Sequence, residues 1–120
     1  MKSLKAITVG LAVIFLCLSV IPLTLAGEKP VVKIGFIGPL TGPNAAFGLG
    51  ARKSADLAVK QTNERGDAPY EYELVVMDDA SDPSTGVAVA TKLCTIDKVA
   101  AATTHFNSPV GLATIHVFHR

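Results

Sequence analysis

The sequence predicts an α/β fold, a parallel three-stranded sheet of order 2-1-3 with flanking helices. Two observations carry that prediction. Three short runs alternate with longer segments of helical character: Val31–Ile37 is apolar and rich in β-branched residues, Tyr70–Met77 alternates and then turns apolar, and Val99–Thr103 is alanine-rich. The segments between them open or close with helix-terminating chemistry, at Gly66, Asp82-Pro83 and Ser108-Pro109. The resulting order is β-α-β-α-β-α, and right-handed crossovers between parallel strands then place helices on both faces of the sheet.

Val31–Ile37 (VVKIGFI) is interrupted by one Lys and ended by Gly38-Pro39, as expected of a largely buried strand. The turn Gly42 to Gly48 leads into a long helix to about Arg65, which Gly66 stops in a left-handed conformation. On that helix Ala51, Ala55, Ala58 and Thr62 recur at helical spacing and predict a small-residue face lying close on the sheet. Tyr70–Met77 (YEYELVVM) alternates and then turns continuously apolar, a strand exposed where it enters and buried where it leaves. Asp82 caps the next helix, because its carboxylate accepts free backbone N–H bonds while Pro83 tolerates the first helical position. That helix is expected to run to about Asp97. Val99–Thr103 (VAAAT) reads as an alanine-rich third strand, and a last helix starts at Ser108 and ends near His119.

The 120 residues are 49% hydrophobic and 18% charged, and part of the apolar excess is local. Lys2 and Lys5, the run Ile7–Ile21 and then Pro22-Leu23-Thr24-Leu25-Ala26 form the charged, hydrophobic and small-residue zones of a secretory signal peptide. Cleavage is expected after Ala26, delivering residues 27–120 to a periplasmic or extracellular compartment. A retained membrane anchor is the alternative, since Ala6–Ala26 is uncharged and long enough to span a bilayer, although Pro22 interrupts it. Attachment of lipid at Cys17 is disfavoured by the bulky Ile14-Phe15-Leu16 before it. Loss of Lys2 and Lys5 leaves nine Lys and Arg against ten Asp and Glu, a balance without the basic stripe of a nucleic-acid binder. Cys94 then stands alone, so no internal disulfide and no thiolate metal site is expected, and it reads as a small buried hydrophobe on a helix.

Gly48-Leu49-Gly50 begins like a nucleotide-binding loop, but Lys53 occupies the third glycine position and no phosphate-loop motif occurs. No cofactor is expected. Asp78, Asp79 and Asp82 could hold a divalent cation or receive a phosphoryl group; the competing reading makes Asp82 a helix cap and Asp78 or Asp79 a ligand of loop amides. His105, His116 and His119 read as surface or edge positions rather than a metal triad, and no metal is expected. Ser108 has His105 nearby, but the sequence offers neither an orienting acid nor an oxyanion hole, so no catalytic residue is assigned.

Two loops remain, Gly38–Pro43 after the first strand and Thr104–Ser108 after the third. In a sheet ordered 2-1-3 these strands are neighbours, and the crevice between their loops is the switch point where open α/β sheets bind ligands. Ser108 at the last helix's N-cap would offer a hydroxyl beside the N–H groups of Val110 and Gly111, a setting that favours a small carboxylate. The alternative is that Ser108 only caps its own helix.

The runs VKIGFIGPLTGPNAAFGLGARKSADLAVKQTNERG, YELVVMDDASDPSTGVAVATKL and DKVAAATTHFNSPVGLAT together resemble the amino-terminal part of the branched-chain amino-acid (Leu/Ile/Val) binding proteins that serve ABC importers. The G-P-L-T-G-P turn followed by Phe47-Gly48, the D-D-x-x-D-P helix start and the H-aromatic-N-S loop carry the likeness, which covers nearly all of residues 27–120. It implies a type I periplasmic binding protein fold with two lobes that close on an amino acid, an ABC permease as partner, and no enzymatic activity. On that resemblance Ser108 falls where the ligand's α-carboxylate is held, Asn107 lies beside it, and Phe47 lines the pocket. Some members join the two loops by a disulfide; Ser81 and Asn107 stand at those positions, so that bridge is absent here.

The resemblance also implies more chain than the 120 residues contain, so residues 27–120 are expected to be a partial amino-terminal lobe, the product of a truncated frame. One partial lobe gives a ligand one wall, and intrinsic affinity is expected to be very weak. Two other function classes remain open: a small α/β enzyme or phosphoreceiver using Asp78 and Asp79, and an interaction module pairing through an open sheet edge.

Overall fold

A computed structural model describes residues 27–119. The expected signal peptide lies outside the described residues.

Strand β1 (Val31–Gly38) is central, flanked by β2 (Glu71–Asp78) and β3 (Ala101–Thr104), both parallel to it, so the sheet has the expected order 2-1-3. Its register pairs Ile34 with Leu74 on one side and with Ala101 on the other. Helices α1 (Ala45–Arg65), α2 (Pro83–Lys92) and α3 (Ser108–Phe118) follow the three strands in turn, and a π turn, Leu93–Asp97, extends α2. That extension ends where the sequence placed the helix end.

Side chains of β1 alternate between the two faces. Ile37 packs with Ala90, Leu93 and Val117, surrounded by the half-buried Val75, Met77, Val87 and Val99, so the main core lies between the sheet and the α2–α3 pair. Phe36, on the other face, lies in the same cleft as Gly48 and Ala51 of α1. This second layer is thin. Gly48 is the only fully buried residue of α1, and Leu49 and Leu57 are exposed.

The contact face of α1 differs from the expected one. Ala51 and Ala58 are exposed, whereas Gly48 is buried and Ala55, Val59, Thr62 and Asn63 are half-buried. The helix is seated by two specific contacts rather than by an alanine stripe. Gly48 meets the backbone of Pro39, and Asn63 accepts from the Tyr72 N–H and donates to its carbonyl, which fastens the helix to β2. Gly66 terminates α1 at φ 71°, as predicted.

Strand β3 starts two residues later than expected. The Val99 N–H bonds to the Leu93 carbonyl and closes the π turn, and the sheet is first joined by the Ala100 N–H on the Lys33 carbonyl. The other edge of β3 has no strand partner among the described residues, and an open groove of about 650 Å³ lined by Cys94, Val99, Val117 and Phe118 runs beside it. No helix among the described residues is long and apolar enough to cross a membrane.

Candidate functional site

Because the strands are parallel, the β1–α1, β2–α2 and β3–α3 loops all emerge at one end of the sheet. The residues after β2 tie them together. Asp78 Oδ1 accepts from the Leu40 and Ala80 N–H groups, each at 2.8 Å, and Oδ2 accepts from the Thr41 hydroxyl at 2.6 Å. Partial burial pushes this carboxyl up, but the bonds from Thr41, Ala80 and Leu40 outweigh it and hold Asp78 below the usual carboxylate range. Asp78 thereby clamps the turn that leads to α1.

Asp79 points the other way and is fully buried; its Oδ1 accepts from the Ser81 N–H. These two Asx bonds stabilise Ala80 and Ser81 in left-handed conformations, at φ 50° and 59°. Asp82 caps α2 as predicted, accepting from the Thr85 N–H and from the Thr85 and Ser84 hydroxyls. The Thr85 N–H, followed by those two hydroxyls, holds its carboxyl below the usual range. All three aspartates are thus engaged with neighbouring protein groups. Burial removes Asp79 from any phosphoryl donor, and among the described residues no group of three His, Cys, Asp or Glu is placed to hold a metal.

Ser81 joins the loops laterally. Its hydroxyl accepts from Asn44 Nδ2 at 3.1 Å and donates to Asn107 Oδ1 at 3.2 Å, a hydrogen-bonded link at the two positions where some relatives were expected to be cross-linked. Phe47, in the first turn of α1, stacks on Phe106, with ring centroids 4.7 Å apart and planes 11° apart. Both rings remain more than half exposed. Beside Phe106 lies a cleft of about 130 Å³ lined by Pro39, Gly48, Thr103, Thr104 and the Phe106 ring itself. The two loops singled out in the sequence therefore stand side by side, and their apolar rim is a ring pair of which the sequence identified only Phe47.

Asn107 and Ser108 also lie here, with an exchange of roles. The N-cap of α3 is Asn107, and Ser108 is the first helical residue, exposed to solvent. The Asn107 side chain is occupied by Ser81 and makes no capping bond, while its carbonyl accepts from the Gly111 N–H. Gly111 is therefore not a free donor, contrary to expectation; Ser108 and Val110 retain N–H groups without an intrahelical partner. Pro109 supplies none.

His116 and His119 are exposed, as expected, but His105 is not a surface residue. Its side chain is 3% exposed, with Nδ1 3.0 Å from Asp79 Oδ2 and Nε2 2.8 Å from Thr114 Oγ1. The i, i+9 partner on α3 and the acid 26 residues earlier are invisible to local pattern reading. The arrangement orders Thr, His and Asp as a hydrolytic triad does, yet Thr114 is 1% exposed and its hydroxyl also reaches the Val110 and Gly111 carbonyls. A nucleophile so enclosed cannot meet a substrate.

Comparison with known proteins agrees with this architecture. A family model described as periplasmic binding protein matches residues 31–120. Leu/Ile/Val-binding protein homolog 1 of Brucella abortus is 38% identical over 88 residues, which are 72% of this chain and 24% of that protein. The substrate-binding protein of the branched-chain amino acid transporter from Streptococcus pneumoniae, solved with isoleucine, is 32% identical with a TM-score of 0.69, over 72% of this chain and 25% of its own. A solute-binding protein of an ABC transporter from Rhodopseudomonas palustris, solved with 3,4-dihydroxybenzoic acid, is 29% identical with a TM-score of 0.61, over 69% and 23%. The chain spans about a quarter of the length of these relatives.

Proposed function

Since the chain belongs to the periplasmic binding protein family, we propose that residues 27–120 form part of an amino-terminal lobe that supplies one wall of a carboxylate-binding cleft in an ABC importer's solute receptor. It acts by binding and not by catalysis, and residues 1–26 direct it to the periplasm or the cell exterior. The observation that carries this reading is the placement of the Phe47–Phe106 pair beside the exposed, serine-led start of α3, where apolar and anion-attracting surfaces adjoin. In this reading Ser108 holds the carboxylate, Asn107 supports it, and Phe47 and Phe106 cover the apolar part of the ligand. The partner is a membrane permease, and neither a cofactor nor a nucleic acid is involved.

A branched-chain amino acid is the first candidate, by analogy with the Brucella and Streptococcus relatives. The near-parallel ring pair also suits a flat aromatic carboxylate of the kind bound by the Rhodopseudomonas relative. Two-dimensional NMR titration of the isotope-labelled full chain with leucine, isoleucine, valine and benzoate distinguishes these. One wall gives weak affinity, so saturable shifts at millimolar ligand, centred on Phe47, Phe106 and Ser108, are expected. Shifts confined to the β3 edge, or none at the loops, overturn the reading.

A further inference from the structure

The buried Asp79–His105–Thr114 bridge is used by none of the roles above, and it stands directly before the three residues that form the crevice wall. His105 leaves β3 with its N–H on the Ile37 carbonyl at 2.9 Å, the last backbone bond joining β3 to β1. There the chain adopts φ 48°, a left-handed conformation that is sterically unfavourable for a residue other than glycine. Something must hold it there. The imidazole does so from both sides: Nδ1 lies 3.0 Å from Asp79 Oδ2 just past the end of β2, and Nε2 lies 2.8 Å from Thr114 Oγ1 nearly two turns into α3. Few side chains carry two polar atoms on opposite sides of a rigid ring, which is what bridging a strand end to a helix requires. The next residues are Phe106, stacked on Phe47, Asn107, bonded to Ser81, and Ser108.

We infer that His105 is a positioning residue: by bridging Asp79 and Thr114 it fixes where Phe106, Asn107 and Ser108 stand relative to the β1–α1 turn. It touches no ligand itself. Its consequence for binding rests on the function proposed above, whereas the positioning is observable without any ligand.

The test is NMR of the full chain, reading the cross-peaks between the Phe47 and Phe106 rings and their mutual ring-current shifts. His105→Ala is expected to abolish both while cross-peaks among Ile37, Leu93 and Val117 persist. His105→Asn, whose Nδ2 can replace Nδ1 toward Asp79, is expected to restore them in part. Should His105→Ala fail to fold, Thr114→Val takes its place, since it keeps the shape of Thr and removes the Nε2 partner together with the hydroxyl's contacts to the Val110 and Gly111 carbonyls within its own helix; weakened ring cross-peaks support the inference. Undiminished Phe47–Phe106 cross-peaks in a folded His105→Ala or Thr114→Val chain overturn it. Loss of the stack in a chain that binds no carboxylate leaves His105 as positioning residue and removes the proposed function instead.

Discussion

Gly48 and Gly50 stand two residues apart on α1 and are expected to answer the same substitution with opposite sign. A Cβ at Gly48 would lie 1.9 Å from the Pro39 carbonyl oxygen and 2.6 Å from its carbon, backbone atoms that cannot swing aside; at Gly50 it would meet nothing within 4 Å. Alanine favours the helix over glycine by about 0.5–1 kcal/mol at either position. At Gly50 that gain stands alone, so Gly50→Ala is expected to raise Tm by about 2–8 °C for a domain of this size. At Gly48 the helix must retreat until the contact reaches an ordinary distance. Overpacking of this kind costs about 1–3 kcal/mol, which leaves a net loss of up to about 2.5 kcal/mol after the helical gain. The retreat also draws the adjacent Phe47 away from Phe106. Thermal unfolding followed by circular dichroism reads the stability, and NMR reads the ring pair. A rise in Tm for Gly48→Ala, or equal shifts for the two variants, would refute the view that α1 is seated on Pro39 through Gly48.

Ser108→Ala is expected to leave Tm nearly unchanged, because Asn107 and not Ser108 is the helix cap, yet to weaken carboxylate binding about tenfold or more, as loss of a hydrogen bond to a charged group does; NMR titration decides, and unchanged affinity removes Ser108 from the site. Replacing both Ser81 and Asn107 by Cys is expected to yield a disulfide between loops already in hydrogen-bond contact, stabilising the chain by about 2–4 kcal/mol in non-reducing against reducing denaturant titrations. Acid is expected to destabilise the fold through Asp78 and Asp82. Both carboxyls are held below their ordinary range, so the unfolded chain takes up protons first; their contribution is present above about pH 4 and is lost as pH falls through the lower folded values. Tm measured from pH 5 downward should therefore fall less steeply in Asp78→Asn/Asp82→Asn than in the parent chain, and identical slopes would contradict this.

Much of the architecture was legible because it is written in local chemistry. The β-branched run of β1, the Gly66 stop and the Asp82-Pro83 cap each act within a few residues, and a three-stranded sheet with two right-handed crossovers leaves few other topologies. The adjacency of the β1–α1 and β3–α3 loops follows from that order, so Asn107 and Ser108 could be brought beside the Gly38–Pro43 turn from topology, while Phe47 was assigned to the site by the family resemblance. The one-residue shift of the α3 cap shows the limit of such reading: Ser-Pro and Asn-Ser-Pro are both acceptable starts, and the choice went to Asn107.

The tertiary structure alone decided the contacts whose partners are far apart along the chain. The seat of α1 on Pro39, the bond from Ser81 to Asn107, the stack of Phe106 on Phe47 and the bridge from Asp79 through His105 to Thr114 each join separate segments. No periodicity encodes them, because a histidine's environment depends on what the folded chain places around it. A residue that looks like a loop histidine in sequence becomes buried when two elements converge on both of its ring nitrogens. Local propensity sets which elements form, whereas the exclusion of water from between them sets which polar side chains must find one another.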